Sequence, residues 1–160
     1  IGHKLDYANR AWIEPGQWLT SKQQERNEEA AALYESWKSK DVMVEEYMVD
    51  DAEIVLTAYG ISGRIAKSSV DILRKKGLKV GLIRPITLNP FPVEAFEKLD
   101  YSRVKAILDV EMSIPAQYAN DVEAVVRRRC PVEKCLCSGG NIMSREAVLE
   151  AVMKIAGQEA

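Results

Sequence analysis

The chain has 160 residues, 47% of them hydrophobic, and its 22 basic and 24 acidic side chains give a formal net charge of -2. That is enough apolar mass for one domain with a real core plus an appendage, which excludes disorder of the whole chain. The near balance of charge gives no global attraction to nucleic acid or to an anionic membrane, so partners have to be argued locally. No apolar run approaches the ~20 residues of a membrane span, and the N-terminus lacks the order of a signal peptide. A soluble, cytoplasmic chain is expected, with neither nucleic acid nor membrane as a partner. Because it opens at Ile1 rather than Met, with aromatic residues but no clear element, it reads as part of something longer.

Residues 1–19 have no clean period, and Pro15-Gly16 is a turn signal between Trp12 and Trp18. Thr20 followed by Gln23 resembles a capping box, and a polar run to Glu29 gives way to Ala30, Leu33, Tyr34 and Trp37 at helical spacing. Residues 1–44 are therefore expected to be a linker and an amphipathic connector helix, with one folded domain at 45–157. An edge strand is expected near Tyr47.

Asp51 to Pro92 carries a strand, a helix and a second strand. Glu53 to Tyr59 is an apolar run of the kind that is buried on both faces of a sheet. Gly60 breaks it, Ser62 is placed to cap a helix through Leu73, and Gly77 to stop it. Leu78 to Ile83 is the next strand, and a parallel crossover is the default geometry. Asn89-Pro90-Phe91-Pro92 makes a loop before a short helix through Phe96 and Leu99. Val104 to Val110 is a third buried strand ending at Asp109 and Glu111, followed by a helix from about Pro115 to Arg129, with Tyr118, Val122, Val125 and Val126 inward. Val132 to Cys137 is a fourth strand, and Ser144 caps a last helix that Gly157 ends. The alternation predicts a three-layer α/β/α domain on a mostly parallel five-stranded sheet.

Candidate chemistry is sparse. Gly60, Ser62 and Gly63 sit between strand and helix, where backbone N-H groups can hold an anion. The loop matches neither the dinucleotide fingerprint nor the P-loop, since no third glycine and no Gly-Lys-Ser/Thr follow, so a simple tight turn is favoured. Glu111 is expected at the carboxyl edge, where ligands of open α/β folds bind, and to face the Gly60 loop if the strand order reverses there. A structural or interface role is expected for it. Arg127, Arg128 and Arg129 suit a helix C-terminus, and Arg84 a carboxylate or a neighbouring subunit. Cys130, Cys135 and Cys137 lack four-cysteine spacing and are expected to be structural strand thiols in a reducing compartment, with no metal site. No catalytic residue is singled out.

The stretch AYGISGRIAKSSVDILRKKGLKVGLIRPITLNPFP resembles the transketolase C-terminal-like domain of 2-oxoacid:ferredoxin oxidoreductase α subunits, of the 2-ketoisovalerate or 2-oxoglutarate type. The likeness continues through KAILDVEMS, PVEKCLCSGGN and the last helix, and the EEY at Glu45 to Tyr47 is similar to the family's connector. The resemblance implies a strand order of 1-3-2-4-5, counting the antiparallel edge strand near Tyr47 as first. It also implies a whole enzyme that decarboxylates a 2-oxoacid on thiamine diphosphate with magnesium, passes electrons through iron-sulfur clusters to ferredoxin, and forms an acyl-CoA. Those cofactors belong in the family to another domain or to other subunits, so the implied role of this domain is assembly and docking against them, with the chain alone inactive. After the third strand the family shows an acidic residue, a short polar turn and Gly-Gln, whereas here Glu111 is followed by a longer turn ending in Ala116-Gln117. The alternatives are the same module in another thiamine enzyme, a dehydrogenase or transketolase, and a free-standing nucleotide- or anion-binding module.

Overall fold

The computed structural model describes residues 20–158. The Trp12 to Trp18 linker lies outside the described residues. The chain divides into two units, residues 1–37 and 38–160. The first is described by α1 (Thr20–Lys40), a single helix none of whose residues is buried. Its polar half is supported along its own surface by Gln23 to Asn27 and Gln24 to Glu28 bonds of 3.2 and 2.8 Å. Its apolar end pairs the Tyr34 and Trp37 rings at 5.0 Å.

The second unit is the α/β domain: β1 (Val44–Tyr47), β2 (Ile54–Thr57), α2 (Gly60–Lys75), β3 (Val80–Pro85), α3 (Val93–Glu97), β4 (Ala106–Glu111), α4 (Tyr118–Val126), β5 (Val132–Leu136) and α5 (Arg145–Ile155). The sheet runs β1-β3-β2-β4-β5, the expected order, with only β1 antiparallel. The three inner strands are almost wholly buried because each is covered on both faces. Ile54, Leu56, Leu82, Leu108 and Val110 pack with α2 and α5, while Val55, Ile83 and Ile107 pack with α3 and α4. Alternation along each strand divides the core into these two clusters.

The helix ends explain where boundaries depart from the expected ones. Ser62 does not cap α2. The chain turns at Gly60, whose φ is +56°, the left-handed region open to glycine. Tyr59 takes the N-cap position, its carbonyl accepting from Gly63 N-H at 3.1 Å, and Ser62 is buried inside the first turn. At the other end Gly77 N-H reaches the Arg74 carbonyl and Leu78 N-H the Leu73 carbonyl, at 3.0 and 3.1 Å. This closes α2 and draws Leu78 out of β3, which begins two residues later than expected. α4 is shorter than expected because Arg127 and Arg128 are left-handed, with φ of 51° and 61°. Arg129 then folds back to donate to the Val125 and Val126 carbonyls at 2.8 and 2.9 Å. Ser144 caps α5 as expected, accepting from Ala147 N-H at 3.1 Å.

Candidate functional site

Connections leave β2 towards β3 on one side and reach β4 on the other, so the carboxyl ends of β2 and β4 flank the switch-point crevice where open α/β folds bind ligands. Glu111 ends β4 there and is 1% exposed. Its carboxylate accepts from Ser113 Oγ at 2.6 Å and from the backbone N-H groups of Gln117 at 3.2 Å and Tyr118 at 3.1 Å. Tyr59 Oη donates to it from the β2 side at 3.4 Å. A carboxylate therefore fills the N-terminal end of α4, where free N-H groups and the helix dipole favour negative charge. Glu111 thus bridges the loops from both strands of the crevice, as expected for a structural role.

The floor of the crevice is less comfortable. Asp109 lies two residues earlier on the same face of β4, beside Thr57 in the β2 register. It is fully buried, and neither carboxyl oxygen has a hydrogen-bond partner. Burial first, and the charge of Glu111 second, push its carboxyl up to about 7. Thr57 Oγ1 and Tyr118 Oη hydrogen-bond at 2.7 Å above it, and burial pushes the Tyr118 phenol up as well. The Tyr59 and Phe91 rings pack on Tyr118, with centroids 5.2 and 5.9 Å from its ring.

The Gly60, Ser62 and Gly63 turn is drawn together as expected, but it faces a structural cluster. A Cβ added to Gly63 would lie 2.8 Å from Arg84 Nε, so the glycine is what lets the arginine lie across the first turn of α2. Arg84 reaches Glu45 Oε2 at 3.0 Å, and Lys67 bonds the other oxygen of the same carboxylate. Hydrogen bonds from those two cations hold the Glu45 carboxyl below its ordinary range. Tyr47 Oη donates to Asp71 at 2.7 Å, and Lys67 sits over the Tyr47 ring. These contacts fasten edge strand β1 to α2. Arg84 therefore takes the carboxylate option and takes it inside its own domain.

The family model for pyruvate:ferredoxin oxidoreductase core domain II matches residues 52–148. The chain belongs to this family. It is 45% identical over 125 residues to the ketoisovalerate oxidoreductase subunit VorB of Methanothermobacter marburgensis, covering 78% of this chain and 35% of that subunit. It is 43% identical over 72 residues to the alpha subunit of NADH-dependent phenylglyoxylate dehydrogenase of Aromatoleum evansii, covering 45% of this chain and 17% of that one. The chain thus spans about a third of the length of the VorB subunits it matches. Among solved structures, the 2-oxoglutarate:ferredoxin oxidoreductase of Magnetococcus marinus superposes with a TM-score of 0.73 at 16% identity, over 87% of this chain and 24% of that one. A split-gene transketolase gives 0.60 at 17% identity, over 74% and 42%. Both likenesses bear out the transketolase C-terminal-like fold.

Proposed function

We propose that this chain is the docking domain of a thiamine-diphosphate-dependent 2-oxoacid:ferredoxin oxidoreductase of the ketoisovalerate type, residues 1–44 being the connector and 45–157 the part that docks. The observation that carries this is the carboxyl edge of the sheet. Met43, Ile86, Leu88, Ile114 and Ile142 stand on the loops of that edge and Ile61 in the first turn of α2, their exposure running from 44% at Leu88 to 68% at Ile142. Single exposed aliphatic side chains are ordinary, but a succession along one rim is what a contact surface looks like. The occupant is the remainder of the same subunit, since the matched stretch is only 35% of VorB. Further subunits, and ferredoxin through them, complete the assembly, which is cytoplasmic.

Oxidative decarboxylation to an acyl-CoA belongs in this proposal to the assembly. The described residues of this domain fit neither a diphosphate nor an iron-sulfur cluster. Ser62 is buried within the β2–α2 turn and Arg84 lies against Gly63, which leaves that turn without the open backbone cradle a diphosphate needs. Cys130 packs on the α3/α4 side of the sheet and Cys135 and Cys137 on the other, so the three thiols do not converge on an iron-sulfur cluster.

The test uses the full-length subunit. An Ile114→Asp/Ile142→Asp double variant is expected to free the domain to limited proteolysis and to lower viologen reduction by the assembled enzyme at least about tenfold, the cost of desolvating two charges at an interface. Met48→Asp, at the opposite edge, is expected to change neither. Wild-type assembly and turnover in the double variant would overturn the proposal. So would viologen reduction by this chain alone, supplied with thiamine diphosphate, 2-ketoisovalerate and CoA.

A further inference from the structure

Cys135 lies in β5 and Cys137 one residue past its end, and both pack against the core cluster on the α5 face of the sheet. Gly139 and Gly140, both left-handed, then turn the chain back and bring Met143 over the strand. Its thioether is 4% exposed, and Cys135 Sγ lies 3.6 Å from Met143 Sδ. Cys137 packs on the same core cluster, and its Sγ makes a long 3.6 Å contact to the Asn141 carbonyl, from which it would have to turn to join the other two sulfurs. Both thiols are free and half-buried, within reach of solvent.

We propose that Cys135, Cys137 and Met143 form a three-sulfur site for a soft monovalent cation, Cu(I). At metal-sulfur bonds of about 2.3 Å, two sulfurs 3.6 Å apart subtend roughly 100° at the metal, so the observed Cys135 to Met143 spacing needs no rearrangement. The ligand set selects the ion. Among the described residues no group of three or more His, Cys, Asp or Glu side chains is placed to hold a metal, and this set reaches three donors only through a thioether. Thiolate with thioether favours Cu(I), whereas oxygen-preferring cations have no partner here and zinc lacks its fourth ligand. Binding forms two thiolate bonds and one thioether bond, the two thiols releasing their protons to solvent. Copper enters and stays as Cu(I), so no oxidant or reductant is needed.

The test is anaerobic titration of the whole chain with Cu(I) in competition with bathocuproine disulfonate, together with copper-edge X-ray absorption. One Cu(I) per chain with a sulfur-only first shell is expected. Cys135→Ser and Cys137→Ser should each weaken binding by more than about 100-fold, beyond what loss of an outer partner costs. Met143→Leu, which keeps the core volume, should weaken it by about tenfold. Cys130→Ser, on the other side of the sheet, should leave it unchanged. Absence of stoichiometric binding, a nitrogen or oxygen first shell, or equal affinity in Cys130→Ser, Cys135→Ser and Met143→Leu would overturn the proposal.

Discussion

The two turns that flank the switch-point crevice meet the same need by opposite means. Each leads from a buried strand into a helix, and each must deal with the free N-H groups at the helix start. The β2–α2 turn does it with backbone alone: Gly60 is left-handed and exposed, and no side chain caps the helix. The β4–α4 turn does it with Glu111, a buried carboxylate that accepts from two backbone N-H groups, Ser113 and Tyr59. The first turn is closed by backbone and a neighbouring arginine, and the second by a buried carboxylate. A crevice in the usual place for a ligand is thus used to tie the molecule together, while the loops around it carry exposed aliphatic side chains outward.

Removing the plug should give the largest effect. Glu111→Leu leaves the Gln117 and Tyr118 N-H groups buried beside an apolar side chain, and is expected to destabilise the chain by about 3 kcal/mol in urea unfolding. If Glu111→Leu unfolds at the wild-type midpoint, the plug is not what holds the two loops.

Asp109 gives the next effect, with the opposite sign. Its folded carboxyl titrates at about 7 against an ordinary 3.8, so the unfolded chain ionises first as pH rises. The stability this group contributes is full below pH 3.8 and is lost as pH climbs to about 7. Asp109→Asn keeps the shape of the neutral acid and removes the titration. It should stabilise the chain by about 2 kcal/mol at pH 8 and do little at pH 4. An equal change at both pH values would mean that the carboxyl is already ionised in the folded chain.

The glycine turn gives the smallest effect. A Cβ at Gly60 meets nothing within 4 Å, so Gly60→Ala tests backbone strain alone and should cost about 1 kcal/mol in thermal or urea unfolding. A neutral result would show that the β2–α2 turn does not depend on the left-handed residue.

The same contrast shows what the sequence could reveal. The apolar runs around Val55, Leu82 and Leu108 marked the inner strands, because a parallel strand buried on both faces has no polar side. The strand order came from the resemblance, and the structure agrees with it. Glu111 was legible as a residue at the carboxyl edge. Its partners were not, since Ser113, Gln117, Tyr118 and Tyr59 meet it only through the turn and the strand pairing. Asp109 was overlooked although AILDVE carries the signal: a period of two puts Ile107, Asp109 and Glu111 on one buried face. Ser62 was misplaced because the helix begins earlier than a capping serine implies: Gly60 turns the chain with a left-handed φ, and the cap falls to Tyr59, three residues before Ser62. Met143 gave no signal beside the cysteines, being brought to Cys135 by two left-handed glycines.

Amide hydrogen exchange, compared between this chain alone and the intact enzyme, tests most directly whether the plugged edge is a contact surface. Amides of Ile61 to Arg64, Met112 to Ile114 and Asn141 to Met143 are expected to become protected in the enzyme, while the loop from Met48 to Glu53, at the opposite edge, exchanges alike in both. Equal exchange at the carboxyl edge in the two states would contradict it.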